Sequence, residues 1–244
     1  MKLNPFKRRN DTEDGDVADK ETNTTDSGWF LPEDSRKSIT KLFETLREPV
    51  ALEVFTMSGE NDAYNDFLLK FTRDVARLSS GAITLHEYGL DTPKAQSRGV
   101  DFSPTLLLDP DNYNIAYRGA PLGEEGRSFM QILMHISRRD SGLADISREL
   151  LKELKEPREI KVFVNPSCPY CPGQVLNAFR LAVERPELVS AVCIDSAQDP
   201  DTADRYNVGS VPHTVVDDAF DSLGLLQEER FVLETVALRP VEDL

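Results

Sequence analysis

Ile160-Lys161-Val162-Phe163-Val164-Asn165-Pro166-Ser167-Cys168-Pro169-Tyr170-Cys171-Pro172 holds the residues around which the chain is organised. Ile160 to Val164 is an apolar run of strand length. Beyond the cysteines, Val175, Leu176, Phe179, Leu181 and Ala182 fall at helical spacing, so Cys168-Pro169-Tyr170-Cys171 occupies the turn from a strand into a helix. A reactive thiol belongs there. Unpaired backbone N–H groups and the macrodipole at a helix N-terminus favour a thiolate, lowering the pKa of the first cysteine from about 8.5 into the range of roughly 3.5–7.5. Cys168 is then the nucleophile, and Cys171, about one turn on, is placed to resolve the mixed disulfide that Cys168 forms.

Two plainer readings of C-x-x-C compete. A structural zinc ion takes four ligands, and the rest of the chain offers Cys193, His86, His135 and His213 without a second paired motif. A structural disulfide across so short a loop removes little unfolded-state entropy. The motif and its placement between strand and helix favour redox chemistry, and neither a metal nor a cofactor is expected.

The 244 residues suffice for one or two domains, and a hydrophobic content of 39% leaves part of the chain outside a packed core. A formal charge of −15, from 43 acidic and 28 basic residues, excludes binding to nucleic acid by phosphate neutralisation. Three cysteines are too few for a disulfide scaffold, and no apolar run reaches the roughly 18 residues of a membrane span. Lys7-Arg8-Arg9 is followed by acidic residues and not by an apolar stretch, so no export signal is expected and the reading is cytoplasmic.

Residues 1–33 read as a disordered acidic tail, because Asn10 to Ser27 has too little apolar surface to offset the entropy of ordering. Trp29-Phe30-Leu31 then either packs onto the first domain and anchors that tail or forms an exposed docking patch. An amphipathic helix follows from Asp34 to Arg47, a strand over Val50–Thr56, a helix over Asn61–Leu78 and a strand from Ala82. After a short segment to Val100 come the Pro104-led strand Thr105–Leu108, a turn at Asp109-Pro110-Asp111-Asn112, a strand at Ile115–Tyr117 and a helix over Arg127–Ile136.

A shift of 108 residues overlays the second half on the first. Leu42, Leu46, Glu48 and Pro49 fall on Leu150, Leu154, Glu156 and Pro157; Val54-Phe55 falls on Val162-Phe163; Leu68 and Phe71 fall on Leu176 and Phe179; Pro104 and Asp109 fall on Pro212 and Asp217. The chain is a duplicated α/β unit, each copy a small mixed sheet flanked by helices, with domains at 34–142 and 143–244. With Asp140-Ser141-Gly142 as the linker, the two sheets are expected to pack against each other. The positions of Cys168 and Cys171 are Glu60 and Ala63 in the first unit, which is therefore redox-silent.

A C-P-Y-C motif after a strand with a Pro-led strand opposite resembles the thioredoxin fold. The tandem form is similar to the glutaredoxin-like protein disulfide oxidoreductases and to the N-terminal domain of the alkyl hydroperoxide reductase flavoprotein, over roughly residues 34 to 238. The matches are Ser167 to Pro172, Val208-Gly209-Ser210-Val211-Pro212 and, for the flavoprotein, Arg118-Gly119-Ala120-Pro121-Leu122-Gly123. The resemblance implies two tandem thioredoxin-like folds and a redox-active pair, Cys168 and Cys171. It also implies a cis Pro212 that frees the backbone of Val211 for an incoming peptide strand, with Pro169 and Tyr170 shaping the rim.

Thioredoxins carry a buried acid six residues before the first cysteine; here that position is Val162, and no general base for Cys171 is apparent. Cys193 reads as a buried core thiol, and alternation along its strand turns His213 away from the site. Three functions follow. The first is reduction or exchange of protein disulfides, with an external thioredoxin-reductase-like enzyme or glutathione as donor and a potential of roughly −200 to −230 mV, as in glutaredoxins. The second is electron transport from such a flavoenzyme to a peroxiredoxin. The third is a client-binding scaffold built on the silent domain and Trp29-Phe30-Leu31.

Overall fold

A computed structural model describes residues 28–243. The expected tail falls outside the described residues up to residue 27, and from Trp29 onward the chain is packed. Phe30 and Leu31 donate their backbone N–H groups to Asp74 Oδ2 at 2.8 and 2.7 Å, Phe30 meets Phe67 edge-on, and the Arg77 guanidinium lies 3.7 Å from the Trp29 ring centroid. Of the two readings of Trp29-Phe30-Leu31, packing onto the first half is the one observed.

The first half comprises α1 (Glu33–Phe43), β1 (Val50–Thr56), α2 (Asp62–Leu78), β2 (Ile83–Gly89), α3 (Pro93–Arg98), β3 (Thr105–Leu108), β4 (Asn114–Arg118) and α4 (Glu125–Arg138). The second comprises α5 (Asp145–Leu151), β5 (Arg158–Val164), α6 (Cys171–Glu184), β6 (Val189–Asp195), α7 (Pro200–Arg205), β7 (His213–Val216), β8 (Phe220–Leu223) and α8 (Glu228–Ala237). Helix α1 stops short of the expected Arg47. Thr45 and Leu46 bond back to Leu42 and Phe43 in tight turns, and Glu48 precedes a proline, which disfavours helical backbone.

The duplication is structural. Within each half two parallel strands sit beside an antiparallel hairpin, in the orders β2-β1-β3-β4 and β6-β5-β7-β8. Strands β1 and β5 begin at Val50 and Arg158, and β3 and β7 at Thr105 and His213, 108 residues apart in both cases. The offset loosens between them, since β2 and β6 begin at Ile83 and Val189, 106 apart. Strands that face each other across the sheet keep their spacing; the crossover between them drifts.

The two sheets do not stack as expected. They join edge to edge into one eight-stranded sheet, because β4 pairs in parallel with β6 from Asn114↔Ser190 to Arg118↔Ile194. Pairing satisfies two rows of backbone groups that would otherwise be open edges. It also carries the core across the junction: Tyr117 on β4 meets Phe129 of α4 and, edge-on at 5.2 Å, Phe179 of α6. One face of the sheet is buried under α2, α4, α6 and α8, while α3 and α7 flank the other. The linker is pinned, with Arg148 bonding Asp140 at 2.5 Å and Glu184 at 2.6 Å, and Arg180 donating to Ser141 O at 2.7 Å.

Candidate active site

The turn between β5 and α6 is organised by Asn165. Its Oδ1 accepts from Ser167 N and Oγ at 3.0 and 2.8 Å, and its carbonyl accepts from Cys168 N at 3.0 Å. Tyr170 then caps α6, which starts at Cys171 with Pro172 in its first turn, where a missing N–H costs nothing. The sulfurs of Cys168 and Cys171 are joined as a disulfide, with Cα atoms 5.5 Å apart.

The two sulfurs are not equivalent. Cys168 is 8% exposed at the surface, Cys171 is fully buried, and the backbone N–H of Cys171 points at Cys168 Sγ from 3.1 Å. A donor at a helix N-terminus stabilises negative charge on the sulfur it faces, and here that sulfur is the accessible one.

Strand β7 brings the second part of the site. Val211-Pro212 is a cis peptide, Pro212 is buried, and Val211 O lies 3.9 Å from Cys168 Sγ. Among the described residues the N–H of Val211 takes no hydrogen bond. Pro169 and Tyr170 are exposed on the outer side. His213 faces the other way and packs on Phe163, as alternation along the strand requires.

The matching turn of the first half shows what replaces a thiol. Glu60 and Ala63 are exposed, and Ser103-Pro104 is also cis. Asn61 donates to Ser103 O at 2.8 Å and to Gln198 O at 3.2 Å, while Ser103 Oγ accepts from Met57 N at 2.7 Å and bonds Asn65 Oδ1 at 2.8 Å. An amide network holds the loop where the second half has sulfur.

Val162 is not an acid, and the buried carboxyl nearest the start of α4 belongs to the other half of the chain. Glu125, at the start of α4, is 2% exposed; its Oε2 contacts Ser128 Oγ, and its Oε1 has no hydrogen-bond partner. Burial, with the Asp195 carboxylate nearby, pushes its pKa up to about 7. Glu125 lines a small crevice with Val164, Cys193 and Asp195. Burial raises Asp195, and lifts the Cys193 thiol well above its ordinary value, leaving Cys193 an inert core residue. Gly123 brings the start of α4 against the active turn, where Glu124 N donates to Pro166 O at 3.1 Å. Arg118 to Gly123 stood out in the sequence only as a resemblance; an acid supplied by the other repeat has no signature at a fixed offset from Cys168.

Residues 158–237 match the family model for the thioredoxin domain. A curated thioredoxin of Methanocaldococcus jannaschii is 28% identical over 74 residues, covering 30% of this chain and 87% of that protein. The chain as a whole is similar to the protein disulfide oxidoreductase of Aeropyrum pernix K1, with a TM-score of 0.76 and 26% identity over 87% of this chain and 97% of the other. The N-terminal domain of alkylhydroperoxide reductase AhpF from Enterococcus faecalis has the same fold, with a TM-score of 0.75 and 24% identity over 85% of this chain and all of that domain, 100%. The whole described chain thus carries the tandem thioredoxin fold. With a disulfide at the head of α6, among the residues that match the thioredoxin domain model, it is a thioredoxin-like disulfide oxidoreductase. Among the described residues no helix is long and apolar enough to cross a membrane.

Proposed function

We propose that the chain reduces or exchanges disulfides of other proteins through the Cys168/Cys171 dithiol. The observation that carries this is the asymmetry of the pair: the sulfur that reaches the surface is the one that receives a helix N-terminal N–H. The Cys168 thiolate attacks one sulfur of the partner disulfide, whose S–S bond breaks and releases the other as a thiol after protonation. Cys171 loses its proton and attacks Cys168, closing the Cys168–Cys171 disulfide and freeing the second partner thiol. Two electrons pass outward, and an external reductase or glutathione restores them.

Val211, through its unpaired N–H, and Pro212 hold the partner's backbone in line, with Pro169 and Tyr170 at the rim. On this reading residues 143–244 form the redox domain and residues 34–142 a redox-silent one that supports it through Glu125 and the joined sheet. The test is trapping with Cys171→Ser. Mixed disulfides on Cys168 should accumulate and identify the partners, and their absence from a folded variant counts against the assignment.

A second reading, transfer of electrons from a thioredoxin-reductase-like flavoenzyme to a peroxiredoxin, is favoured by Arg118 to Gly123 and by the likeness to the AhpF N-terminal domain. A shuttle of this kind should reduce a peroxiredoxin far faster than insulin in a coupled assay. Part of the Trp29-Phe30-Leu31 segment on which the scaffold reading rests is engaged by Asp74, Arg77 and Phe67 of the chain itself, while Phe30 stays 42% exposed.

A further inference from the structure

Helix α6 meets the sheet mainly through apolar side chains, yet one turn beyond Cys171 stands Gln174, 0% exposed, and one turn further Asn177, 8% exposed. A buried amide costs free energy unless its polar groups are paired. Here they are paired across three elements. Gln174 Nε2 donates to Thr214 Oγ1 of β7 at 2.9 Å, and Gln174 Oε1 accepts from Leu226 N at 3.1 Å, in the loop between β8 and α8. Asn177 Nδ2 donates to Leu226 O at 3.0 Å.

The same loop also holds the strand. Gly224, at a backbone φ of +82° that favours glycine, donates its N–H to Pro212 O at 2.8 Å. Thr214 lies two residues after Pro212 and so on the same side of the strand. These bonds close a circuit: from Gln174 to Thr214, along β7 to Pro212, across to Gly224, and through Leu226 back to Gln174. It ties the first turns of α6 to the strand that presents Val211, whose carbonyl stands 3.9 Å from Cys168 Sγ.

The polar choice has a physical reason. Contacts of Val175 and Phe179 with the sheet are non-directional, and they change little when a helix slides over its neighbours. A hydrogen bond is lost within a few tenths of an ångström. An apolar side chain of the size of Gln174 would fill the same volume and fix no position.

We propose that Gln174 is a positioning residue for disulfide exchange: acting through Thr214, it sets the separation between Cys168 and the Val211-Pro212 strand, and with it the slot that a partner's disulfide-bearing strand enters. The inference rests on the reading of Cys168 as the attacking sulfur, and the bonds made and broken are those of that exchange. A small disulfide that does not lie along Val211 needs no slot and is indifferent to Gln174.

The test uses the full-length protein in its reduced form, mixed with an excess of a disulfide-linked peptide dimer or of hydroxyethyl disulfide. Closure of Cys168–Cys171 is followed by alkylation and mass spectrometry, and the ratio of the two rates is the readout. Gln174→Met keeps the volume and removes both bonds. It should lower the peptide-to-hydroxyethyl ratio at least about fivefold, near the worth of one hydrogen bond, while the hydroxyethyl rate holds within about twofold. Thr214→Val should lower the ratio too, Thr214→Ser, which keeps the hydroxyl, should retain it, and Gln174→Met/Thr214→Val should lose no more than Gln174→Met alone. Melting curves establish that each variant is folded; should Gln174→Met not fold, the contrast between Thr214→Val and Thr214→Ser carries the same test. An unchanged ratio in folded Gln174→Met or Thr214→Val, equal slowing with both disulfides, or losses that add in the double variant would overturn the proposal. Failure of the unmutated protein to react with either disulfide would remove the reading of Cys168 itself, a result separable from an unchanged ratio.

Discussion

Glu125→Gln should stabilise the protein at alkaline pH and leave it almost unchanged in acid. The Glu125 carboxyl has a pKa of about 7 in the folded chain against an ordinary 4.5, because burial opposes its charged form. Below pH 4.5 it is protonated in both folded and unfolded chains and costs nothing. Between pH 4.5 and 7 the unfolded chain releases the proton and the folded chain retains it, so stability falls as pH rises. Above pH 7 the loss is complete at about 3 kcal/mol, since each pKa unit is worth about 1.4 kcal/mol.

Glutamine has nearly the same shape, can still bond Ser128, and carries no titrating proton, so the variant escapes this slope. Urea unfolding at pH 5 and pH 8.5, with the disulfide intact, gives the two differences. The variant should gain about 2.5 kcal/mol more at pH 8.5 than at pH 5. A gain independent of pH would refute the assignment of a buried, neutral carboxyl at position 125.

Equilibration with the glutathione couple should place the Cys168/Cys171 potential at roughly −200 to −230 mV, if the Pro169-Tyr170 loop governs it; a value near −120 mV would make the protein an oxidant. Asp74→Ala should cost about 1–3 kcal/mol by removing the acceptor of two backbone N–H groups, and should shift the fluorescence of Trp29, the sole tryptophan, to the red. Gly123→Ala places a Cβ against the carbonyl of Pro166 at a backbone φ of +56°, and should cost at least about 1 kcal/mol by urea unfolding while slowing disulfide exchange at Cys168.

Much of the site was legible one residue at a time. The strand, turn and helix around Cys168 follow from local periodicity and capping, which depend on neighbours a few residues away, and the cis Pro212 and the backbone of Val211 followed from resemblance. The repeat was legible for the same reason, since each half keeps the spacing between the strand before the active turn and the Pro-led strand beside it.

What local pattern does not encode is where one half meets the other. Ile115 and Tyr117 alternate inward as an ordinary edge strand would, and nothing in them announces that β4 pairs with β6. That pairing depends on backbone groups, which carry no residue identity, and on a pinned linker too short for other arrangements. Its consequence is chemical: it sets Glu125 of the first half in a shared crevice with Cys193 and Asp195 of the other. The amino-acid sequence by itself determined which two cysteines pair and on what kind of turn. The tertiary structure decided which carboxyl lies buried beside that half, because burial and proximity between distant segments exist only once the chain has closed on itself.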